Sequence, residues 1–373
     1  MFNIYNQKGN DRLITVKAPG KLYIAGEYAV VETGYPSIIV ALNQFVTVEI
    51  SQSKSYGSIV SKQYRDDSVL WRRQGDQMIL DNRDNTFNYI ISAIRLTEEY
   101  AQALGRPMEL YDLRVNSDLD SPNGKKYGLG SSAAVTVATV KGLCQFYKLP
   151  LTKSQLFKLS AIAHLDVQGN GSLGDIAASV YGGWIAYWSF DRDWLLAART
   201  QQSLTELVNQ PWPSLKITQL TQPDNLRLII GWTGTPASTS HLVDKVAIQK
   251  SRQHQIYAEF LRDSKNCLED LIQGFKDGSL ERIKAGIKRN REILQQLADF
   301  TKVAIETPTL KKMCDIAVEN TAAAKSSGAG GGDCGIVVID KQVNVDSMIE
   351  RWKENGITRL ALNVHPVIDL NKE

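Results

Sequence analysis

The run Gly128-Leu129-Gly130-Ser131-Ser132 constrains this chain more than any other stretch of it. A strand-like segment (111–116) and a polar loop (117–127) precede it, and a helical run of small and apolar residues follows as far as Tyr147. Closely spaced glycines let backbone approach a ligand and turn several amides into one concavity. A helix that begins at once adds its free N–H groups and the positive end of its dipole, a seat for phosphate. Ser131 and Ser132 can cap that helix or offer a hydroxyl to a magnesium ion, and Lys125 and Lys126 bring positive charge just upstream. The same residues also suit a capped turn whose glycines serve the turn alone, so both readings stand at this point. The chain has no GxxxxGK[ST] sequence, which argues against a P-loop ATPase.

The chain's 373 residues, 43% of them apolar, are enough for about two domains. Its 43 Lys and Arg nearly balance 40 Asp and Glu, so no field strong enough for nucleic acid is expected. The four cysteines form no CxxC pair and the four histidines are dispersed; reduced thiols fit better than disulfides or a transition-metal cluster. The first residues carry no signal-type apolar run, and no stretch reaches the roughly 18 apolar residues of a membrane span. A soluble, cytoplasmic protein without a membrane partner is expected.

Strands are predicted over 13–17, 37–42 and 45–51, and a helix over 85–104. A further helix opens at Leu151-Thr152 and ends near Gln168, and residues 182–189 read as a buried strand. The mixed region 190–224 reads as a join, dividing the chain into 1–205 and 206–373. After a strand at 226–233, helices are predicted around 256–274, after Ser279, and from Thr307-Pro308 to about Lys325. The chain closes with a glycine-rich loop, a strand at 335–340, a helix at 345–355 and a strand at 357–364.

Residues 169–174 (GNGSLG) match GxGxxG literally. A dinucleotide fold needs a strand before that motif, and residues 159–168 read as helix, so the match is rejected. Asp175 follows directly and suits either a helix cap or a group that orients or deprotonates a hydroxyl. Residues 325–335 (KSSGAGGGDCG) hold five glycines in eleven positions, a large ordering entropy for an ordinary connection. A hinge would explain them, but the strand that follows at once favours a fixed loop against a ligand.

Three segments, 17–31 (KAPGKLYIAGEYAVV), 128–135 (GLGSSAAV) and 325–335, resemble in order and spacing the three motifs of the GHMP kinases over nearly the whole chain. The resemblance implies an α+β fold with an N-terminal ribosomal protein S5 domain 2-like domain, a C-terminal ferredoxin-like domain and an active site between them. Segments 170–187 and 231–241 are similar to the bacterial phosphomevalonate kinase branch, whose acceptor is 5-phosphomevalonate. The first motif, Lys21 to Tyr28, lacks the arginine and the Gly-Glu-His ending of galactokinases.

By that resemblance Lys21 and Asp175 stand at the reacting groups. ATP is expected on Lys126, Gly128, Leu129, Gly130, Ser131, Ser132 and Ala133, and adenine recognition is not legible beyond the stretch 84–89. The acceptor is expected on Lys21, Ser172, Ser240, His241 and the backbone of Ser327, Gly328, Ala329 and Gly330. In mevalonate kinases a glutamate eleven residues before the aspartate helps bind magnesium; here that position is His164, a poor ligand for a hard cation. Mg2+ would then rest on the ATP phosphates, water and Ser131 or Ser132, with Asp166 as a substitute. Mevalonate or homoserine kinase, diphosphomevalonate decarboxylase and a non-catalytic sensor on the same fold are the alternatives. The oligomeric state stays open between monomer and homodimer.

Overall fold

A computed structural model describes residues 13–61, 68–80, 87–119, 127–234, 242, 244, 246 and 254–370. The chain opens with two long antiparallel strands, β1 (Ile14–Ala25) and β2 (Pro36–Gln52). Sequence reading ended the first strand at Lys17 because Pro19 and Gly20 follow. The strand continues because its register shifts between Pro19 and Lys21, and a proline without an N–H is tolerated at such a bulge. Likewise the two segments read at 37–42 and 45–51 are one strand.

Strands β3 (Gly57–Ser61), β4 (Ser68–Gln74), β5 (Gln77–Leu80), β6 (Tyr111–Ser117), β7 (Trp184–Trp188) and β8 (Lys216–Leu220) complete the first sheet. The order is β5-β4-β3-β6-β2-β7-β8, with β1 paired to β2 and one parallel pair, β3 with β6. Helices α1 (Asn88–Ala103), α2 (Ser131–Phe146), α3 (Lys153–Gln168) and α4 (Gly174–Tyr181) pack on it and on one another. α2 is buried along most of its length, so small residues are needed: a Cβ at Gly142 would come within 3.0 Å of Ile50 and 3.1 Å of Val16. α3 starts on a full capping box, Thr152 with Gln155. Short helices α5 (Arg192–Arg199) and α6 (Leu204–Asn209) lead to β8.

The second sheet is antiparallel, in the order β10-β11-β9-β12, from β9 (Leu226–Trp232), β10 (Ala323–Ser326), β11 (Cys334–Asp340) and β12 (Thr358–Leu360). Both its faces are covered, and its side chains alternate accordingly. Ile230, Ile336 and Val338 join the main core with α7 (His254–Lys276) and α8 (Leu280–Thr301). Ile229, Val337 and Ile339 form a separate core with α9 (Pro308–Glu319) and α10 (Asp346–Glu354). Gly231 and Gly335 leave room for Met313, whose atoms would lie 2.6 and 2.0 Å from a Cβ there. α9 stops six residues before the predicted end, since Thr321 turns to a φ of 63° and β10 then pairs with β11. Among the described residues no helix is long and apolar enough to cross a membrane.

Polar contacts stitch the C-terminal glycine loop to the first motif. Lys325 Nζ lies 2.5 Å from Glu27 Oε1, with both side chains buried. Ser327 Oγ donates to the Tyr23 carbonyl (2.7 Å), and Tyr28 Oη donates to the Ala329 carbonyl (2.6 Å). The loop is fixed, as its adjacency to a strand predicts: Gly331 N donates to Ile305 O (2.9 Å), and a Cβ at Gly330 would sit 2.1 Å from that oxygen.

Candidate active site

Beside this seam lies a cavity of about 390 Å³, within the size range of small-molecule sites. Lys21 and Tyr23 reach it from β1, where a spacing of two puts them on one face. Gly128, Gly130, Ser131 and Ser132 form another wall, Ser172 and Asp175 a third, and Gly328, Ala329 and Asp333 come from the C-terminal half.

The sequence suggested Ser131 or Ser132 as the cap of α2, but the cap position is Gly130, at a φ of 80°, which has no side chain to bond the first-turn amides. Those N–H groups are therefore left for a ligand. Gly130 is needed for a second reason: a Cβ would meet Lys21 Cε at 2.7 Å. The Lys21 stem runs along the loop, its backbone N donates to Leu129 O (2.8 Å), and its Nζ donates to Gly128 O (3.2 Å). At Gly128 a Cβ would meet Asp333 Oδ2 at 2.6 Å. Leu129 and Ala133, also expected at ATP, are buried and do not line the cavity.

α4 begins after Leu173, itself left-handed at a φ of 60°. Asp175 sits in the first turn, where Ile176 N donates to Oδ1 (3.0 Å). Ser172 is held tightly: its hydroxyl meets Tyr23 Oη at 2.8 Å, and its carbonyl accepts from Tyr187 Oη at 2.5 Å. Arg192 donates to the neighbouring Gly171 carbonyl. Burial, with the charge of Asp175 behind it, raises the Tyr23 hydroxyl far above its usual range, so it stays neutral. His164 is fully buried against Ser132, and burial lowers its pKa, opposed by Asp175.

Most of the sequence-predicted groups thus meet in one cavity. Ser327 and Gly330 do not line it; they anchor the loop that presents Gly328 and Ala329. Asp166 lies elsewhere, paired with Arg199, because two residues along a helix turn the side chain away from the face of His164. Lys125, Lys126, Ser240, His241 and residues 84–86 lie outside the described residues. Sequence reading overlooked Tyr23, Glu27, Tyr28, Gln168 and Asp333 in the lining, whereas Tyr89, the end of the stretch suggested for adenine, does line it. Of these, Tyr23 was accessible from the two-residue period shared with Lys21. The cavity offers an anion seat, one lysine (Lys21) and the carboxylates of Glu27, Asp175 and Asp333, and no group of three or more residues that could hold a metal ion is found among the described residues.

Residues 88–183 match the GHMP kinases N terminal domain family, and residues 271–358 match the GHMP kinases C terminal family. The phosphomevalonate kinase of Streptomyces sp. (strain CL190) is 34% identical over 363 residues, 94% of this chain and 97% of that protein. A solved structure of the Lin0012 protein from Listeria innocua superposes with a TM-score of 0.91 at 36% identity, covering 96% and 99% of the two chains. Streptococcus pneumoniae phosphomevalonate kinase, solved with phosphomevalonate and AMPPNP, gives a TM-score of 0.83 at 30% identity, covering 94% and 99%. With the glycine loop, the lysine and the aspartate brought into one cleft of a two-domain fold, these likenesses place the chain among the GHMP kinases, in the phosphomevalonate kinase family.

Proposed function

We propose that this chain moves the γ-phosphoryl group of ATP onto the phosphate of (R)-5-phosphomevalonate, giving 5-diphosphomevalonate and ADP. The bond from the γ-phosphorus to its bridging oxygen breaks as an acceptor-phosphate oxygen bonds the same phosphorus. The observation that carries this reading is the convergence of Lys21, Asp175 and the open N-terminus of α2 on one cavity. Such transfer depends mainly on positioning and on neutralising charge on the phosphoryl oxygens. The amides around Gly128–Ser132 would cradle the ATP phosphates, and Lys21, braced by the Gly128 carbonyl, would meet the charge that passes between donor and acceptor. An acceptor phosphate, with a second pKa of about 6, is mostly ionised near neutral pH and needs little help from a base. Asp175 therefore acts by orienting Lys21 and the acceptor. Ser172, fixed by two tyrosines, and the Gly328–Ala329 backbone complete the acceptor side.

Magnesium bound with ATP would supply further neutralisation of phosphate charge. The described residues fit a shared ion: they offer serine hydroxyls, Ser131 and Ser132, beside the phosphate seat, and no carboxylate cage. The division into 1–205 and 206–373 belongs to the same proposal, although β8 beyond residue 205 still pairs in the first sheet. Four unpaired cysteines suit a reducing, cytoplasmic setting.

The test offers the purified protein Mg-ATP with mevalonate, 5-phosphomevalonate, homoserine or galactose and follows ADP and carbon dioxide. ADP with 5-phosphomevalonate alone, and no carbon dioxide, is expected. ADP with another acceptor would overturn the acceptor assignment, and nucleotide binding without any turnover would favour a sensor.

A further inference from the structure

His164 is a histidine that the reaction above does not use, yet it is buried where the reaction would occur. It lies on α3 with no exposed surface, and its Nε2 is 3.3 Å from Ser132 Oγ. Its ring stacks at 4.9 Å on Tyr89, and Tyr89 and Ser132 both line the cavity. Nδ1 is buried without a hydrogen-bond partner.

We infer that His164 is a positioning residue: it donates from Nε2–H to Ser132 Oγ and so aims the Ser132 proton into the cavity, at a phosphate oxygen of the bound nucleotide. The inference rests on the phosphate seat proposed above. A neutral imidazole carries one N–H, on either nitrogen. A buried N–H without a partner is rarer in proteins than a buried acceptor without one, so the proton belongs on Nε2 and the bare lone pair on Nδ1. A doubly protonated ring would strand an N–H at the partnerless Nδ1, so the site accommodates the neutral form. With one lone pair of Ser132 Oγ already taken, its O–H is left to turn toward the ligand. Ser131, which lines the same wall of the cavity, then serves as the hydroxyl left to the cation.

Two variants separate this role from simple packing. His164→Phe keeps a ring to stack on Tyr89 but removes the donor; His164→Gln places an amide N–H near the Nε2 position. Mg-ADP and Mg-AMPPNP affinities are measured by calorimetry, independent of any acceptor, alongside the urea midpoint of each protein. We expect His164→Phe and Ser132→Ala each to weaken nucleotide binding about tenfold, the double variant to be no weaker than Ser132→Ala, and His164→Gln to recover most of the loss. Losses that multiply in the double variant, or a His164→Phe protein that binds nucleotide normally, overturn the role. If the parent itself fails to bind nucleotide, the phosphate seat falls and this inference falls with it; if it binds but does not turn over 5-phosphomevalonate, only the acceptor assignment falls.

Discussion

Replacing Lys325 by Met tests how the two halves of the molecule are joined. Lys325 is fully buried, and its Nζ contacts Glu27 Oε1 at 2.5 Å and the Ser326 carbonyl at 2.6 Å. Glu27 is nearly as buried, and among the described residues its Oε2 has no hydrogen-bond partner and Lys325 is the one cation it meets in an ion pair. Methionine keeps the length and apolar stem but removes the charge, leaving a carboxylate in a low-dielectric site. Removing one partner of such a pair costs about 3–5 kcal/mol. Escape by protonation is no cheaper: neutralising an ordinary glutamate side chain at pH 7 costs about 4 kcal/mol. Urea unfolding at pH 7, followed by tryptophan fluorescence, should therefore show a loss of about 3–5 kcal/mol. Glu27→Gln combined with Lys325→Met removes the stranded charge and should recover at least half of it. A single variant within about 1 kcal/mol of the parent, or a double variant no better than the single, would refute the reasoning.

Asp175→Ala should lower kcat by about a hundredfold or more while nucleotide affinity, read by calorimetry, changes less than about threefold; equal losses in both would sink its placement at the reacting groups. Gly130→Ala forces a side chain into a φ of 80° and pushes on the Lys21 stem, so kcat should fall at least about tenfold, with an unchanged kcat contradicting the path of that lysine. All four thiols are buried; burial pushes Cys267 up to about 12 and raises Cys144, Cys314 and Cys334 as well. Raised values mean few thiolates at pH 8, so a disulfide reagent should titrate no thiol in the native protein and four in denaturant, and rapid native labelling would contradict the packing.

Much of the fold could be read locally. Leu151-Thr152 announced α3, and Thr307-Pro308 announced α9, because caps act over three or four residues; the structure adds Gln155 to the first of them. Strands β3, β4 and β5 went unread: sequences such as SVLWRRQ alternate weakly, and their pairing is decided by β6, far along the chain. β10 was read as the end of a helix for the same reason, since AAKS has no strong strand preference and is extended only because β11 pairs with it.

The sequence by itself determined the parts whose chemistry is local: the glycine-serine turn into α2, the rigidly glycine-dense loop, and the lysine and aspartate that their neighbours mark out. Tertiary structure alone decided what those parts do together. Ser327 and Gly330 became anchors rather than lining, Asp166 turned to Arg199, and His164 turned inward to Ser132. Lys325 and Glu27, 298 positions apart, became one ion pair. Contacts of that separation depend on how two sheets and their helices stack, and no window of a few residues contains that information.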